Sequence, residues 1–339
     1  MAAHLTEKEN FLRVARGDMP EYVPVVSKKT PEEPPLMMIC DPLIIGDFRG
    51  PDGGKDPWGV PFVTSNGLGF TAMPKPNDFI LTDITKWRDV IKAPDYSGFD
   101  WEAAAKADWA KYVKDPDVTS LTISGFADFF QQFVGMMGFS EALCAIYEER
   151  EEVEALMDYM LEHSLYITKN VIHYYKPDGY YLLDDTATKL NPFISPQLFD
   201  ELLVPRYKKC LDIARDAGIP IFYHNCGHCE DLMPSMVEIG VAVWDPAQTM
   251  NDLPAMKKKF GRRLAINGGF EYYMPDTWPE FDEDEVRNAV RETFDMLAPD
   301  GGFMFQGGVK TLDLFDPDVQ RINAVIVDEA EKLSSQYYN

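Results

Sequence analysis

Apolar positions in the first hundred residues come in short bursts among prolines and turn residues, with Leu36–Cys40 and Leu43–Ile45 the clearest. This pattern predicts an N-terminal extension over residues 1–35 and a covering segment of loops through about residue 62. Gly50–Pro61 (GPDGGKDPWGVP) is a turn cluster, and residues 50–75 are expected to form a loop insertion. From residue 121 the pattern becomes regular. Leu121–Ser124 is an apolar, β-branched run, followed by a helical region with Val153, Leu156, Met157, Met160, Leu161 and Leu165 on one face. Tyr180–Leu183 is the next strand. Ser195-Pro196 opens a helix with Phe199, Leu202, Leu203, Tyr207, Cys210 and Leu211 inward, and Gly218 closes it. Strands are expected at Ile219–Tyr223, Val241–Trp244, Leu264–Ile266 and Gly302–Phe305. Between them lie helices at 230–239, from an Asn251 cap to Phe260, and after the capping-box-like Asp282/Glu285 pair; Asp316-Pro317 starts the last helix.

Strand and helix alternating at this spacing predict βα units on a parallel sheet, and the count suits an α/β fold of the (β/α)8 TIM barrel type. A doubly wound sheet is the alternative, but no G-x-G-x-x-G phosphate loop is present, and the Gly302–Thr311 stretch lacks P-loop spacing. No repeat, low-complexity tract or linker divides the chain, so residues 1–339 are expected to form one domain.

Composition narrows the function. With 56 acidic against 32 basic residues the net charge is −24, which disfavours nucleic acid and anionic membrane surfaces. No run of about 18 apolar residues exists to span a membrane. The N-terminus has no signal-peptide pattern, and the five cysteines are an odd number, so a cytoplasmic protein with reduced thiols is expected.

In a barrel of this kind chemistry sits at the C-terminal ends of the strands. The polar residues there are Asp184 and Asp185, His224 and Cys226, Asp245, Asn267 with Glu271 shortly after, and Gln306. The densest cluster is His224-Asn225-Cys226-Gly227-His228-Cys229. On an extended segment His224 and Cys226 point to one side, and an imidazole beside a thiolate favours Zn2+. The same residues admit a second reading: Cys226-Gly227-His228-Cys229 is a C-x-x-C between strand and helix, the layout of a dithiol oxidoreductase.

The HNCG sequence resembles the H-x-C-G motif of the uroporphyrinogen decarboxylase superfamily, in its cobamide-dependent methyltransferase branch. Thr6–Arg16 with Pro20–Pro24, Leu121–Phe130, Asp184-Asp185, Ser195–Pro205, Val243–Met250 and Ile266–Phe270 look like further segments of that branch. Asp56–Gly59 and Asp83–Trp87 look most like the members that act on aryl methyl ethers. The chain departs from the superfamily in two places. It lacks the arginine-rich N-terminal segment of the decarboxylases. Where the thiol-activating methyltransferases place a third zinc ligand, a cysteine, it reads Gln306-Gly307-Gly308-Val309. If zinc binds here, an oxygen or nitrogen ligand must replace the sulfur; otherwise the metal is absent and His224 acts as an acid or hydrogen-bond donor. Asp185, Glu271, Gln306 and His228 offer such a ligand, and His224, Cys226 and Glu271 are taken as the expected metal set.

The resemblance implies a methyltransferase that demethylates a methoxylated aromatic or similar small methyl donor and passes the methyl group to the Co(I) of a separate corrinoid protein, since no cobalamin-binding domain is apparent. His224, Cys226, Asp184, Asp185, Asp245 and Asn267 are its expected catalytic residues. Trp58, Phe126, Met136, Tyr223, Trp244 and Gln306 are its expected substrate slot. A decarboxylase-like lyase is the alternative within the superfamily. A homo-oligomer is compatible with the sequence, and helix amphipathicity gives no dimer face.

Overall fold

The computed structural model describes residues 5–30, 32–46, 52–64, 72–311 and 316–338. The chain opens with α1 (Glu7–Ala15), whose Thr6 cap accepts a hydrogen bond from the Glu9 amide at 3.1 Å. Asn10, buried inside the helix, holds the chain's return by donating to the Tyr22 carbonyl and accepting from the Glu21 amide. Strand β1 (Met37–Cys40) follows. The covering segment expected from the sequence therefore contains the first strand of the main sheet. Its four residues, set among prolines, were too few to display a period.

Next comes a small antiparallel sheet, β2 (Gly54–Lys55), β3 (Pro61–Thr64) and β4 (Ala72–Pro74). Much of the stretch expected to be looped is thus a short meander; its residues 50, 51 and 65–71 lie outside the described residues. Helices α2 (Trp87–Val90) and α3 (Trp101–Tyr112) lead into β5 (Ser120–Ser124). The helical region after it is three helices, α4 (Phe129–Met137), α5 (Phe139–Glu148) and α6 (Arg150–Tyr175). Then come β6 (Gly179–Leu183), α7 (Pro196–Leu202), α8 (Val204–Asp216), β7 (Ile221–His224), α9 (Met233–Glu238), β8 (Val243–Ala247), α10 (Leu253–Phe260), β9 (Ala265–Tyr272), α11 (Glu283–Leu297), β10 (Phe303–Val309) and α12 (Pro317–Ser334).

All seven strands of the main sheet are parallel and lie in the order β1-β5-β6-β7-β8-β9-β10. Sequential order without reversal is the order of a (β/α)8 TIM barrel; a doubly wound sheet would show a switch point. Pro24–Val26 takes the eighth place against β10. There the Val26 amide donates to the Phe305 carbonyl and the Phe305 amide to Pro24, each at 2.8 Å.

Strands β8, β9 and β10 run further than their apolar patterns suggest. Glycines that read as turns, Gly268, Gly269, Gly307 and Gly308, stay in the β9–β10 ladder. Gly268 is needed there: its φ is +143°, and a Cβ would lie 2.5 Å from the Ala247 carbonyl oxygen. The register between β8 and β9 shifts after Trp244, where Pro246 offers no amide to the ladder.

Side-chain alternation divides the strands between two cores. Tyr180, Leu182, Tyr223, Trp244, Ile266 and Phe305 face outward into the layer under the helices. Tyr181, Phe222, Val243, Ala265 and Met304 face inward. Helix α1 closes this inner layer at the base, with Phe11 stacked on Phe222 at 5.8 Å between ring centres. Fully burying a side chain of this size stabilises by about 1.5–3 kcal/mol.

Candidate active site

Two residues further along the same strands, the inward positions turn polar. Phe222 is followed by His224, Val243 by Asp245, Ala265 by Asn267 and Met304 by Gln306. Past the end of β6 the same alternation points Asp185 inward and Asp184 outward.

Asp185, His224 and Cys226 offer one ligand atom each, all within 4.8 Å of one another. His224 Nε2 lies 3.4 Å from Cys226 Sγ and 3.7 Å from Asp185 Oδ1. Asp185 is held by two donors, the Cys226 amide at 2.6 Å and Gln131 Nε2 at 3.3 Å. Behind His224, the Tyr181 hydroxyl lies 2.8 Å from Nδ1 and donates to Asp245 Oδ2. Asn267 Nδ2 holds the other Asp245 oxygen at 2.9 Å. With its own proton given to Asp245, the Tyr181 oxygen accepts from Nδ1–H. That places a proton on Nδ1 and turns Nε2 toward Cys226 and Asp185.

Burial, with Asp185 adding to it, pushes the Cys226 thiol up to about 12, against the opposing pull of Lys310. Burial also raises the Cys229 thiol, which donates to the Asn225 carbonyl at 3.3 Å. A reactive dithiol needs the reverse, an electropositive and partly exposed setting, so the surroundings of this C-x-x-C argue against redox exchange. They suit a cation. Nitrogen, sulfur and carboxylate donors on one side, with a tautomer-fixing second layer, match a zinc site of three protein ligands and an open position.

Glu271, the expected third ligand, is not brought to this group; Asp185 is. Burial alone would raise the Glu271 carboxyl, but Lys310, Thr249 and Gln248 hold it below its ordinary range. Lys310 Nζ and Gln248 Nε2 contact one oxygen, at 2.7 and 3.0 Å, and Thr249 binds the other. His228 turns away to the Leu190 carbonyl. Asp184 also leaves the site: fully buried, it accepts from the Phe130 and Gln131 amides and the Tyr207 hydroxyl, anchoring the start of α4. Asn251 does not cap α10, a role taken by Asp252; its Oδ1 accepts from the Cys229 and Glu230 amides and braces the loop after β7. Gly227 completes that loop at φ +99°, where a Cβ would lie 2.4 Å from the Thr188 carbonyl oxygen.

Two cavities flank the triad at the strand ends. One, of ≈ 260 Å³, lies over β8, β9 and β10 and includes Gln306, Gln248, Phe270, Glu271 and Lys310. Gln306 Oε1 is buried there without a hydrogen-bond partner among the described residues. The other, a narrow space of ≈ 40 Å³, brings together Trp58 and Phe126 with Tyr96 and His163. The His163 ring lies 4.9 Å from Trp58 and 5.5 Å from Tyr96, and burial lowers its pKa to about 4. Gln131 reaches the triad and its neighbour Gln132 lines the aromatic cavity, so the first turn of α4 stands between them.

The remaining expected slot residues are elsewhere. Tyr223 and Trp244 are fully buried on the outward faces of β7 and β8, and Met136 is buried in α4. Tyr181, Gln131, Gln248, Lys310, Tyr96 and His163 join the site without being among the residues expected from the sequence. For Tyr181 a signal existed, since it sits four residues before Asp185 and shares its inward parity.

The uroporphyrinogen decarboxylase (URO-D) family matches residues 122–319, more than half of the chain. None of the curated proteins is similar enough in sequence to count as a relative. Among solved structures, a methyltransferase from Methanosarcina mazei superposes with a TM-score of 0.60 at 15% identity, covering 97% of this chain and 100% of its own. An AP endonuclease, family 2, from Brucella melitensis gives 0.36 at 9% identity, over 71% of this chain and 85% of its own. The sequence match, running from within β5 through β10 and including the whole Asp185–His224–Cys226 group, places this chain in the uroporphyrinogen decarboxylase family.

Proposed function

We propose that this protein is a methyltransferase that removes the methyl group of a methoxylated aromatic, or a similar small donor, and passes it to the Co(I) of a separate corrinoid protein. In balance, the ether carbon–oxygen bond breaks, a carbon–cobalt bond forms, and a proton is taken up by the released phenol oxygen. The observation that carries the reading is the Asp185–His224–Cys226 group, aimed into the open end of the barrel.

Phenoxide is a poor leaving group and needs a proton or a Lewis acid in the transition state. A zinc ion held by Asp185, His224 and Cys226 would supply the Lewis acid at the ether oxygen. The chain's own residues do the positioning. Tyr181 and Asp245 hold the His224 ring in one tautomer, and Gln131 with the Cys226 amide aims Asp185. Gln306 Oε1, buried and unpartnered, is ready to accept from a donor on the substrate. Trp58, Phe126 and Tyr96 give an aromatic wall on the other side of α4.

A polycarboxylate decarboxylase fits less well. Lys310 is the sole Lys or Arg lining either mouth cavity among the described residues, and it is paired with Glu271. The test is methyl transfer from methoxyarenes, methanol or methylamines to a corrinoid protein or free cob(I)alamin, followed as methylcobalamin. The reading predicts transfer by wild type and its loss in His224→Ala. No transfer from any of these donors would overturn it.

A further inference from the structure

The cations missing from the mouth are gathered at the opposite end. Residues 257–263 read Lys-Lys-Lys-Phe-Gly-Arg-Arg, five positive charges in seven residues of a chain with net charge −24. They end α10 and lead into β9, at the base of the barrel. Arg16 at the end of α1 and Arg215 in the last turn of α8 join them. Between these elements lies a cleft of ≈ 640 Å³, bordered by Arg16, Arg215, Arg262 and Arg263 and floored by Ile219 and Pro220; among the described residues no acidic side chain lines it.

Helix C-termini attract cations to their last turn, which accounts for Arg16 and Arg215. Arg262 and Arg263 follow in the 3-10 turn Gly261–Arg263, past the last turn of α10, which already carries Lys257, Lys258 and Lys259. Three of the arginines have acidic neighbours outside the cleft: Glu9 at 3.1 Å from Arg16, Asp212 at 2.7 Å from Arg215, and Glu238 at 3.8 Å from Arg263. These are exposed pairs of the weak kind that a better partner displaces. Arg262 makes no side-chain hydrogen bond or ion pair with any described residue.

We propose that this cleft binds a small polyanion carrying two or more phosphate groups, of the nucleoside di- or triphosphate class. Guanidinium groups match phosphate oxygens in a bidentate way, and the volume of ≈ 640 Å³ is in the range of small-molecule sites. The chain's net negative charge does not forbid it, because charges more than about 8–10 Å away are screened at physiological salt. Being at the base, the ligand is no reactant of the mouth, so this site stands independently of the proposed methyl transfer.

The experiment is calorimetric titration of the full chain with pyrophosphate and with ATP, at low and at near-physiological salt, for wild type, the Arg262→Ser/Arg263→Ser double variant and Arg16→Ser. Wild type is expected to bind, more weakly at higher salt, with Kd raised at least about tenfold in the double variant and measurably in Arg16→Ser. Arg16→Ser keeps the test valid should the double variant unfold. No binding of either probe by wild type, or equal binding by the folded variants, overturns the proposal. A titration with polyglutamate covers the rival occupant: polyglutamate binding where pyrophosphate does not would make the cleft a protein-docking surface and overturn the small-anion assignment.

Discussion

The two ends of one barrel interior differ by a step of two residues along strands β7 to β10. At the base, Tyr181, Phe222, Val243, Ala265 and Met304 pack with α1 into an apolar layer. At the mouth, the next inward positions are His224, Asp245, Asn267 and Gln306. The difference shows how a short parallel strand serves both stability and chemistry, its first inward side chain filling the barrel and its second lining the site. Tyr181 joins the layers. Its ring lies among the apolar residues, while its hydroxyl bridges His224 and Asp245. Charge follows the same axis, with a carboxylate-rich mouth and an arginine-lined base.

If the two layers have these separate roles, substitutions should separate them. The largest effect is expected at the base. Phe222→Ala opens a cavity under α1 and should cost about 3–5 kcal/mol in chemical denaturation, with zinc affinity of the folded fraction unchanged. Loss of zinc affinity in step with stability would break the comparison. At the mouth the pattern should reverse. Cys226→Ala should weaken zinc binding by more than about 100-fold, measured by competition with a chromophoric chelator, while stability of the metal-free chain moves by less than about 1 kcal/mol. Tyr181→Phe keeps the ring and removes the hydroxyl. It should lower zinc affinity by about 10–100-fold, a positioning effect that leaves metal stoichiometry at saturation intact.

The smallest effect concerns pH. Burial holds the folded pKa of His163 near 4, below the value of about 6.5 in an unfolded chain, so between these values the unfolded state binds more protons. Stability from this residue is therefore full above about pH 6.5 and lost as pH falls toward 4. His163→Gln should flatten that limb of the stability–pH curve, and an unchanged curve would remove His163 as a source of acid sensitivity at the mouth end.

The barrel was legible from residue 121 onward because its strands are bounded by turn signals and its helices carry complete apolar faces. It was illegible before that point because β1 has four residues and the eighth place is held by a single bridge at Val25. His224, Cys226 and Asp185 could be selected from strand ends alone. Glu271 could not be told from Asp185 as third ligand, since that depends on which carboxylate a neighbouring lysine claims; Lys310 claims Glu271. Tyr223 and Trp244 adjoin strand ends, which suggests the slot, yet parity points them outward. Counting inward positions back from His224 and Asp245 would have excluded both, and the same count from Asp185 reaches Tyr181.

The account rests on the mouth triad as a metal-holding group, and metal content tests it most directly. Wild type, His224→Ala, Cys226→Ala and Asp185→Ala, each loaded with zinc and freed of excess, are compared by elemental analysis per chain. The account predicts one zinc in wild type, little in the first two variants and a weakened site in the third. Equal zinc in all four proteins, or none in wild type, would contradict it.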